Sequence, residues 1–363
     1  MEGVAVNPAF WKGTRVLLTG HTGFKGSWLS LWLQRAGAEV VGYALSPITD
    51  PSLFEVTRVA SGMTSIDADI RDLERVRAVF AEHRPQIVIH MAAQALVHRA
   101  YDDPVLTYTT NVVGTMNVLE AARTADELRV MVCITSDKCY QNKEWAWGYR
   151  ENDRLGGRDP YSSSKACAEQ VISSYRHSYF PPKKYTQHGV AVASTRAGNV
   201  IGGGDWSSDR LIPDIIRAIM ANEPVKIRRP KATRPWQFVL EPLSGYLLLA
   251  ENMWENGSAY SEAWNFGPNI EQIQPVSWIT RTVTERWGDG ASWELDSAEY
   301  PHEDTFLKLD CGLAKARLHW EPRLDLRTAL EWIVEWYKAF KVNKEMRRVT
   351  EDQIVRYEHL PPD

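Results

Sequence analysis

Three observations predict an α/β fold for this chain: a doubly wound parallel sheet, with a smaller mixed domain in the C-terminal half. Short apolar strands alternate with amphipathic helices as far as about residue 196. A glycine-rich turn joins the first strand to the first helix, and polar residues gather just beyond the strand ends. In an open parallel sheet that carboxyl edge is where ligands bind, and strand-helix alternation implies right-handed crossovers.

The first strand is Arg15-Val16-Leu17-Leu18-Thr19, which runs straight into Gly20-His21-Thr22-Gly23-Phe24-Lys25-Gly26. A helix follows from Ser27 to about Ala36 and is ended by Gly37. Gly20, Gly23 and Gly26 permit a tight turn and close backbone approach, while the helix amino terminus presents unpaired N–H groups to a pyrophosphate. The second strand, Glu39 to Ala44, should deliver the group that reads the adenosine ribose, usually an acid. It ends in Tyr43-Ala44-Leu45-Ser46, with neither acid nor arginine, so NAD and NADP both remain open on this feature. Ser46 suits a ribose hydroxyl, as it suits any loop.

A helix with Leu73, Val76, Val79 and Phe80 on one face leads to the strand Gln86 to His90. Met91-Ala92-Ala93-Gln94 then provides small residues against which a flat cofactor can lie. One long helix is expected from Pro104 to Ala125, a strand at Val130 to Ile134, and another at Val190 to Arg196. Beyond Asn199 and the glycines at 202–204 the alternation breaks down. Leu211 to Met220 and Gly245 to Trp254 read as helices, Val225 to Ile227 and Trp236 to Val239 as short strands. The expected division is 1–198 for the dinucleotide domain, with parts of 240–275 returning to it, and 199–340 for the smaller domain. The charged tail, 341–363, reads as loosely ordered.

The chemistry concentrates between Val130 and Lys165. The strand at Val130 stops at Thr135-Ser136-Asp137-Lys138-Cys139-Tyr140, and Tyr161-Ser162-Ser163-Ser164-Lys165 opens a helix after Asp159-Pro160. Residues four apart share a helix face at about 5–6 Å between Cβ atoms. A neighbouring ammonium favours the phenolate of a group whose ordinary pKa is about 10, so Tyr161 reads as a proton acceptor for hydride transfer from a carbinol. Asp137 and Lys138 add two proton-transfer groups on the same rim, which suits an elimination step. Arg228, Arg229, Lys231 and Arg234 form a basic cluster fitted to a diphosphate, or to a solvated loop.

Composition narrows the classes. The 363 residues are 44% hydrophobic and 24% charged with a net charge of -4, which gives no global pull toward nucleic acid or an anionic membrane. No opening signal peptide and no bilayer-spanning run is present, so a cytoplasmic protein is expected. Cys133, Cys139, Cys167 and Cys311 lack the paired spacing of a zinc site and read as reduced thiols, and no metal is expected. The 15 tryptophans fit core packing, with Trp145 and Trp147 also suited to a sugar or base.

The chain resembles the extended short-chain dehydrogenase/reductases, with their Rossmann-like sheet, and within them the CDP-D-glucose 4,6-dehydratases. The resemblance rests on the glycine turn, Thr135 to Tyr140, Trp147-Gly148-Tyr149-Arg150-Glu151-Asn152, the run from Arg196 to Trp206 and Arg234-Pro235-Trp236-Gln237. Dehydratases acting on dTDP-glucose carry Thr-Asp-Glu where this chain has Ser136-Asp137-Lys138.

The resemblance implies tightly held NAD and a CDP-sugar substrate. Ser136, Asp137, Lys138, Tyr161 and Lys165 would be catalytic. The cofactor would be held by Gly20, His21, Gly23, Phe24, Gly26, Asp69, Ile70, Met91, Ala92, Ala93 and Asn111, together with Tyr161 and Lys165, while Ser46, the candidate for the ribose, stands where members of this group are expected to carry an acid. Gln94, Ser136, Asn199, Arg234 and Asn265 would bind substrate. A 4-epimerase or another nucleotide-sugar dehydratase of the same fold, and more remotely a non-catalytic NAD sensor, are the competing readings. The resemblance also implies a homodimer through a bundle of the helices at Pro104 and Tyr161.

Overall fold

Seven short strands, buried on both faces except at the edge strand Thr64–Asp67, build one all-parallel sheet in the computed structural model, which describes residues 6–296 and 307–360. They are β1 (Arg15–Thr19), β2 (Glu39–Ala44), β3 (Thr64–Asp67), β4 (Ile87–His90), β5 (Val130–Ile134), β6 (Ala191–Ala197) and β7 (Ala263–Phe266). Their spatial order is β7-β6-β5-β4-β1-β2-β3, with every pair parallel. The order reverses between β1 and β4, which opens a crevice at the carboxyl edge.

Alternation along the strands sorts the core into two layers. Val16, Leu18, Ile87, Ile89, Val130 and Val132 enter one cluster, while Leu17, Val88, Met131 and Val192 enter the other. Both faces are therefore covered by helices, as an all-parallel sheet requires. The helices that matter to the site are α1 (Phe24–Arg35), α2 (Leu73–His83), α3 (Pro104–Tyr108), α4 (Thr115–Ala122) and α5 (Pro160–Ser178). In the C-terminal half come α6 (Leu211–Met220), α7 (Leu240–Asn256), α8 (Leu326–Lys341) and α9 (Met346–Glu358).

Two expectations are corrected. The long helix expected from Pro104 is interrupted by a π-helical turn at Thr109–Gly114 that separates α3 from α4. The wider turn carries Asn111, whose buried amide bonds both Gln94 and Ser164. The tail, expected loose, forms α9 from residue 346, and only 361–363 of it fall outside the described residues. Trp32 Nε1 donates to Glu358 at 2.8 Å, Trp336 Nε1 to Thr350 at 2.9 Å, and Tyr357 Oη to Glu241 at 2.8 Å. The charged residues that made the segment read as solvated lie on one face, leaving Met346, Ile354 and Tyr357 for the core.

The smaller part is held by pairs of short strands. Val200–Ile201 lies parallel to Gln237–Phe238, Val225–Ile227 parallel to Trp293–Leu295, and Thr233–Arg234 antiparallel to Gln274–Pro275. Trp11, Trp28, Trp32, Trp264, Trp287 and Trp336 are fully buried, so the tryptophan content is chiefly a packing feature. Among the described residues no helix is long and apolar enough to cross a membrane, and no cluster of His, Cys, Asp and Glu could hold a metal.

Candidate active site

At the switch point, Gly20 has φ +77°, and a Cβ there would stand 2.7 Å from the Ala92 nitrogen. Only glycine fits the turn. Thr19 Oγ1 accepts from the Met91 and Ala92 N–H groups at 3.1 Å each, which fastens β1 to the end of β4. A Cβ on Gly26 would strike the Gly20 carbonyl, whereas one on Gly23 would meet only that same oxygen at 3.5 Å. Gly23 caps α1 without any side-chain hydrogen bond, so the first N–H groups of the helix are left to an anion. Phe24 is the first residue of that helix. His21 is fully buried; its Nε2 meets Ser65 Oγ at 2.7 Å, its Nδ1 has no partner, and burial lowers its pKa to about 4. These residues fit a dinucleotide diphosphate.

The adenosine end takes shape from residues the second strand alone did not reveal. Ser46 donates to Asp67 Oδ2 at 2.6 Å, which brings to this edge the carboxylate that β2 lacks. Asp69 is gripped through its side chain by Arg71, and Ile70 packs under Gly114 with its carbonyl bonded by Asn117.

The residues expected to be catalytic lie just beyond the next strand and on the helix that follows it. Beyond β5 the chain turns tightly over Asp137–Cys139, capped by Ser136 Oγ accepting from Lys138 N at 3.2 Å. Ser136 Oγ donates to Asp137 Oδ1 at 3.1 Å. Asp159 caps α5 by accepting from Ser162 N at 2.9 Å, and Pro160 occupies the first turn, which sets Tyr161 at the helix head. Ser136 is close enough to the Tyr161 phenol to favour its ionised form, and Lys165 Nζ reaches the Ile134 carbonyl at 3.5 Å. Ser136, Asp137, Tyr161 and Lys165 are all buried, and Lys138 is half-buried.

Electrostatics correct one expectation. Burial pushes the Tyr161 phenol up to about 12, against the lowering effect of the Ser136 hydrogen bond and Arg210, while Asp137 raises it further. The ammonium of Lys165, turned to Ile134, is not what tunes the phenol in the protein alone. Burial lowers Lys165 itself to about 8. Asp137 is raised, chiefly by burial, although Lys138, Ser136 and Arg234 oppose the shift. A carboxyl that holds its proton more tightly than usual is suited to a general acid.

Two substrate residues expected from the resemblance are placed differently. Asn265 is fully buried; its amide donates to the Tyr149 and Asp310 carbonyls at 2.8 and 3.1 Å, and its oxygen accepts from Tyr140 at 2.8 Å. It ties strand to loop and has no polar group left for a diphosphate. Gln94 likewise spends its side chain inside the protein, bonding Leu96 in its own loop and Thr107 on α3, and so positions that loop. Asn199 is exposed at the carboxyl end of β6, and the half-buried Arg234 is one of the charges acting on Asp137.

Sequence reasoning overlooked Lys25, Arg210 and Tyr246. Lys25 donates to Tyr246 Oη at 3.2 Å, and burial, with Lys165 and Arg210 nearby, lowers it to about 7. Its place inside the glycine turn was the available signal. Behind the site, Glu169 accepts from Thr135 Oγ1, Ser194 Oγ and Arg196 Nη2, the last at 2.8 Å. Burial opposes its charge, but these donors outweigh it and hold the carboxyl below its usual range.

A buried tyrosine and lysine on one helix, facing a dinucleotide turn across the crevice, define an extended short-chain dehydrogenase/reductase. The chain belongs to the GDP-mannose 4,6 dehydratase family, whose model matches residues 17–332. It is similar to the CDP-glucose 4,6-dehydratase of Salmonella typhimurium (strain LT2), at 53% identity over 97% of this chain and 98% of that one. Among solved structures it resembles a dTDP-glucose 4,6-dehydratase from Streptomyces venezuelae with NAD bound, with a TM-score of 0.76 and 21% identity over 91% of this chain and 98% of that one. It also resembles the UDP-glucose 4-epimerase of Thermus thermophilus in complex with NAD, with a TM-score of 0.75 and 25% identity over 90% of this chain and 99% of that one.

Proposed function

We infer that this protein is an NAD-dependent lyase that converts CDP-D-glucose to CDP-4-keto-6-deoxy-D-glucose and water. The observation that carries the reading is Asp137: a buried carboxyl with a raised pKa, bonded to Ser136 beside Tyr161, and followed by Lys138. An epimerase needs the tyrosine and lysine but has no use for an acid that expels a hydroxyl. The similarity to a CDP-glucose 4,6-dehydratase over nearly the whole chain supports both reaction and nucleotide.

In this reading Ser136 orients the C4 hydroxyl and Tyr161, whose phenolate the positive nicotinamide of bound NAD would favour, takes its proton. When bound, NAD would supply reversible hydride storage between C4 and C6. The ketone acidifies C5, Lys138 removes that proton, Asp137 donates its own to the departing C6 hydroxyl, and Lys138 gives the proton back to C5 as the hydride arrives at C6. Lys165 supplies positive charge beneath the cofactor site. Gly20, Gly23 and the head of α1 hold the pyrophosphate; Ser46 with Asp67 reads the ribose; Asp69 and Ile70 flank the adenine; Met91, Ala92 and Ala93 line the nicotinamide half. Asn199 and Arg234 meet the substrate diphosphate.

The protein acts as a homodimer in the cytoplasm. Exposed Tyr101, Val105, Val113, Met116 and Tyr179 on the segments around α3, α4 and α5 support the helical interface, and four free cysteines support a reducing compartment. Mass analysis of CDP-glucose after incubation with protein and NAD tests the function. Loss of one water without net reduction of NAD is expected, and a product of unchanged mass would favour epimerisation.

A further inference from the structure

On the far side of the Tyr161 helix from α3 and α4, a second cavity of ≈ 560 Å³ lies between α5, β6 and the segment 151–155. That volume is in the range of small-molecule sites. None of Ser136, Asp137, Lys138, Tyr161 and Lys165 lines it.

The charges in its walls are unequally satisfied. Each carboxylate is engaged: Glu169 by Arg196, Glu262 by Arg317, Asp153 by the Arg150 N–H and Glu151 by the Asn265 N–H. The cations are not all so. Arg176 is only 8% exposed, yet its Nη1 has no hydrogen-bond partner. Arg196 is 3% exposed; its Nη1 donates to Tyr140 and the Glu151 carbonyl and its Nη2 to Glu169, and its Nε alone has no partner. A buried charged donor without an acceptor is costly, so such groups mark the place for a partner.

We propose that this cavity binds a small oxyanion of the phosphate or carboxylate class, received by Arg176 and the Arg196 Nε, with the exposed Arg154 at its rim. Guanidinium groups offer paired N–H donors that match two oxygens of such an anion. Burial lowers the pKa of Arg176, and an anion beside it relieves that penalty.

Occupancy would be felt across α5. Glu169 lines the cavity, accepts from Thr135 next to Ser136, and is among the charges that favour the Lys165 ammonium. A further negative charge there raises the Lys165 pKa and moves the alkaline limit of turnover upward. This consequence rests on the dehydratase reading; the binding does not.

The test is titration of inorganic phosphate into the full chain saturated with NAD and CDP, which occupy the substrate crevice, followed by calorimetry. One further phosphate site is expected, weakened about tenfold or more in Arg176→Met and partly restored in Arg176→Lys. Absence of phosphate binding, or affinity unchanged by Arg176→Met, overturns the proposal. Should Arg176→Met not fold, Arg154→Glu carries the same test on an exposed position: weaker phosphate binding supports the site and unaltered affinity overturns it. Because no turnover is read, failure here leaves the dehydratase reading standing, and inactivity on CDP-glucose leaves the site standing.

Discussion

Asp137 leans against Gly198: a Cβ built on the glycine would come within 3.0 Å of the carboxylate Oδ2. The end of β6 therefore makes room for the proposed acid, and burial by this wall helps to raise its pKa. Asp137→Asn keeps the shape and removes the proton. Turnover should fall by about 10²–10⁴, the usual contribution of a positioned acid. Oxidation at C4 should persist, seen as reduced-nicotinamide absorbance on mixing with CDP-glucose. Gly198→Ala should impair water loss with little change in NAD affinity. Full dehydration by Asp137→Asn would remove the acid from the mechanism.

Lys138 is followed separately at C5. It is half-buried, next to the acid, and its N–H is held by Ser136. Lys138→Ala should abolish exchange of the C5 hydrogen with deuterated water and lower product formation, while oxidation at C4 continues. Isotope content of recovered sugar, measured by mass analysis, decides it. Undiminished exchange in the variant would assign the C5 proton to another base.

Glu169 and Arg196 form the buried pair behind the Thr135 turn, each less than 4% exposed. Removing one charge strands the other, which typically costs about 3–5 kcal/mol. Glu169→Gln should therefore lower urea-unfolding stability by about that amount. It should also lower the pKa of Lys165, whose ammonium the carboxylate favours, so the alkaline limb of kcat moves to lower pH. A stability loss with an unmoved pH profile would make Glu169 purely a packing residue.

What the chain disclosed of its fold followed from periodicity. The bounds of β1, β2, β5 and α6 are the ones expected, because each is an unbroken apolar or amphipathic run between clear stops. The π-helical turn at Thr109 was invisible, since it depends on Asn111 finding Gln94 and Ser164 far away in sequence. α9 was misread for the same reason: charge density is local, while the pockets for Tyr357 and Glu358 are built by α7 and α1. At the site, the residue types at 136–138, 161 and 165 were legible from position alone. The commitments of Asn265 and Gln94, and the Asp67 carboxylate behind Ser46, needed tertiary structure.

Glu241, near the head of α7, gives the fold a pH dependence. Its carboxylate accepts from the Arg323 and Leu324 N–H groups at 3.0 and 2.7 Å, and from Tyr357 Oη at 2.8 Å. Burial nonetheless dominates those bonds and raises its pKa to about 7 from 4.5. Between those values the folded chain keeps a proton that the unfolded chain has lost. The contribution of Glu241 to stability must then decline as pH rises through this window and level off above it. The shift bounds the effect at roughly 3 kcal/mol, at about 1.4 kcal/mol for each pH unit. Glu251, also raised to about 7 by burial and bonded to Trp11 Nε1 at 2.6 Å, adds a parallel decline. Glu241→Gln should remove about half of the decline owed to these two carboxyls when urea midpoints of variant and unaltered protein are compared at about pH 5 and about pH 8. A slope identical to that of the unaltered protein would show that Glu241 is already ionised at neutral pH, its three donors sufficing to hold the charge.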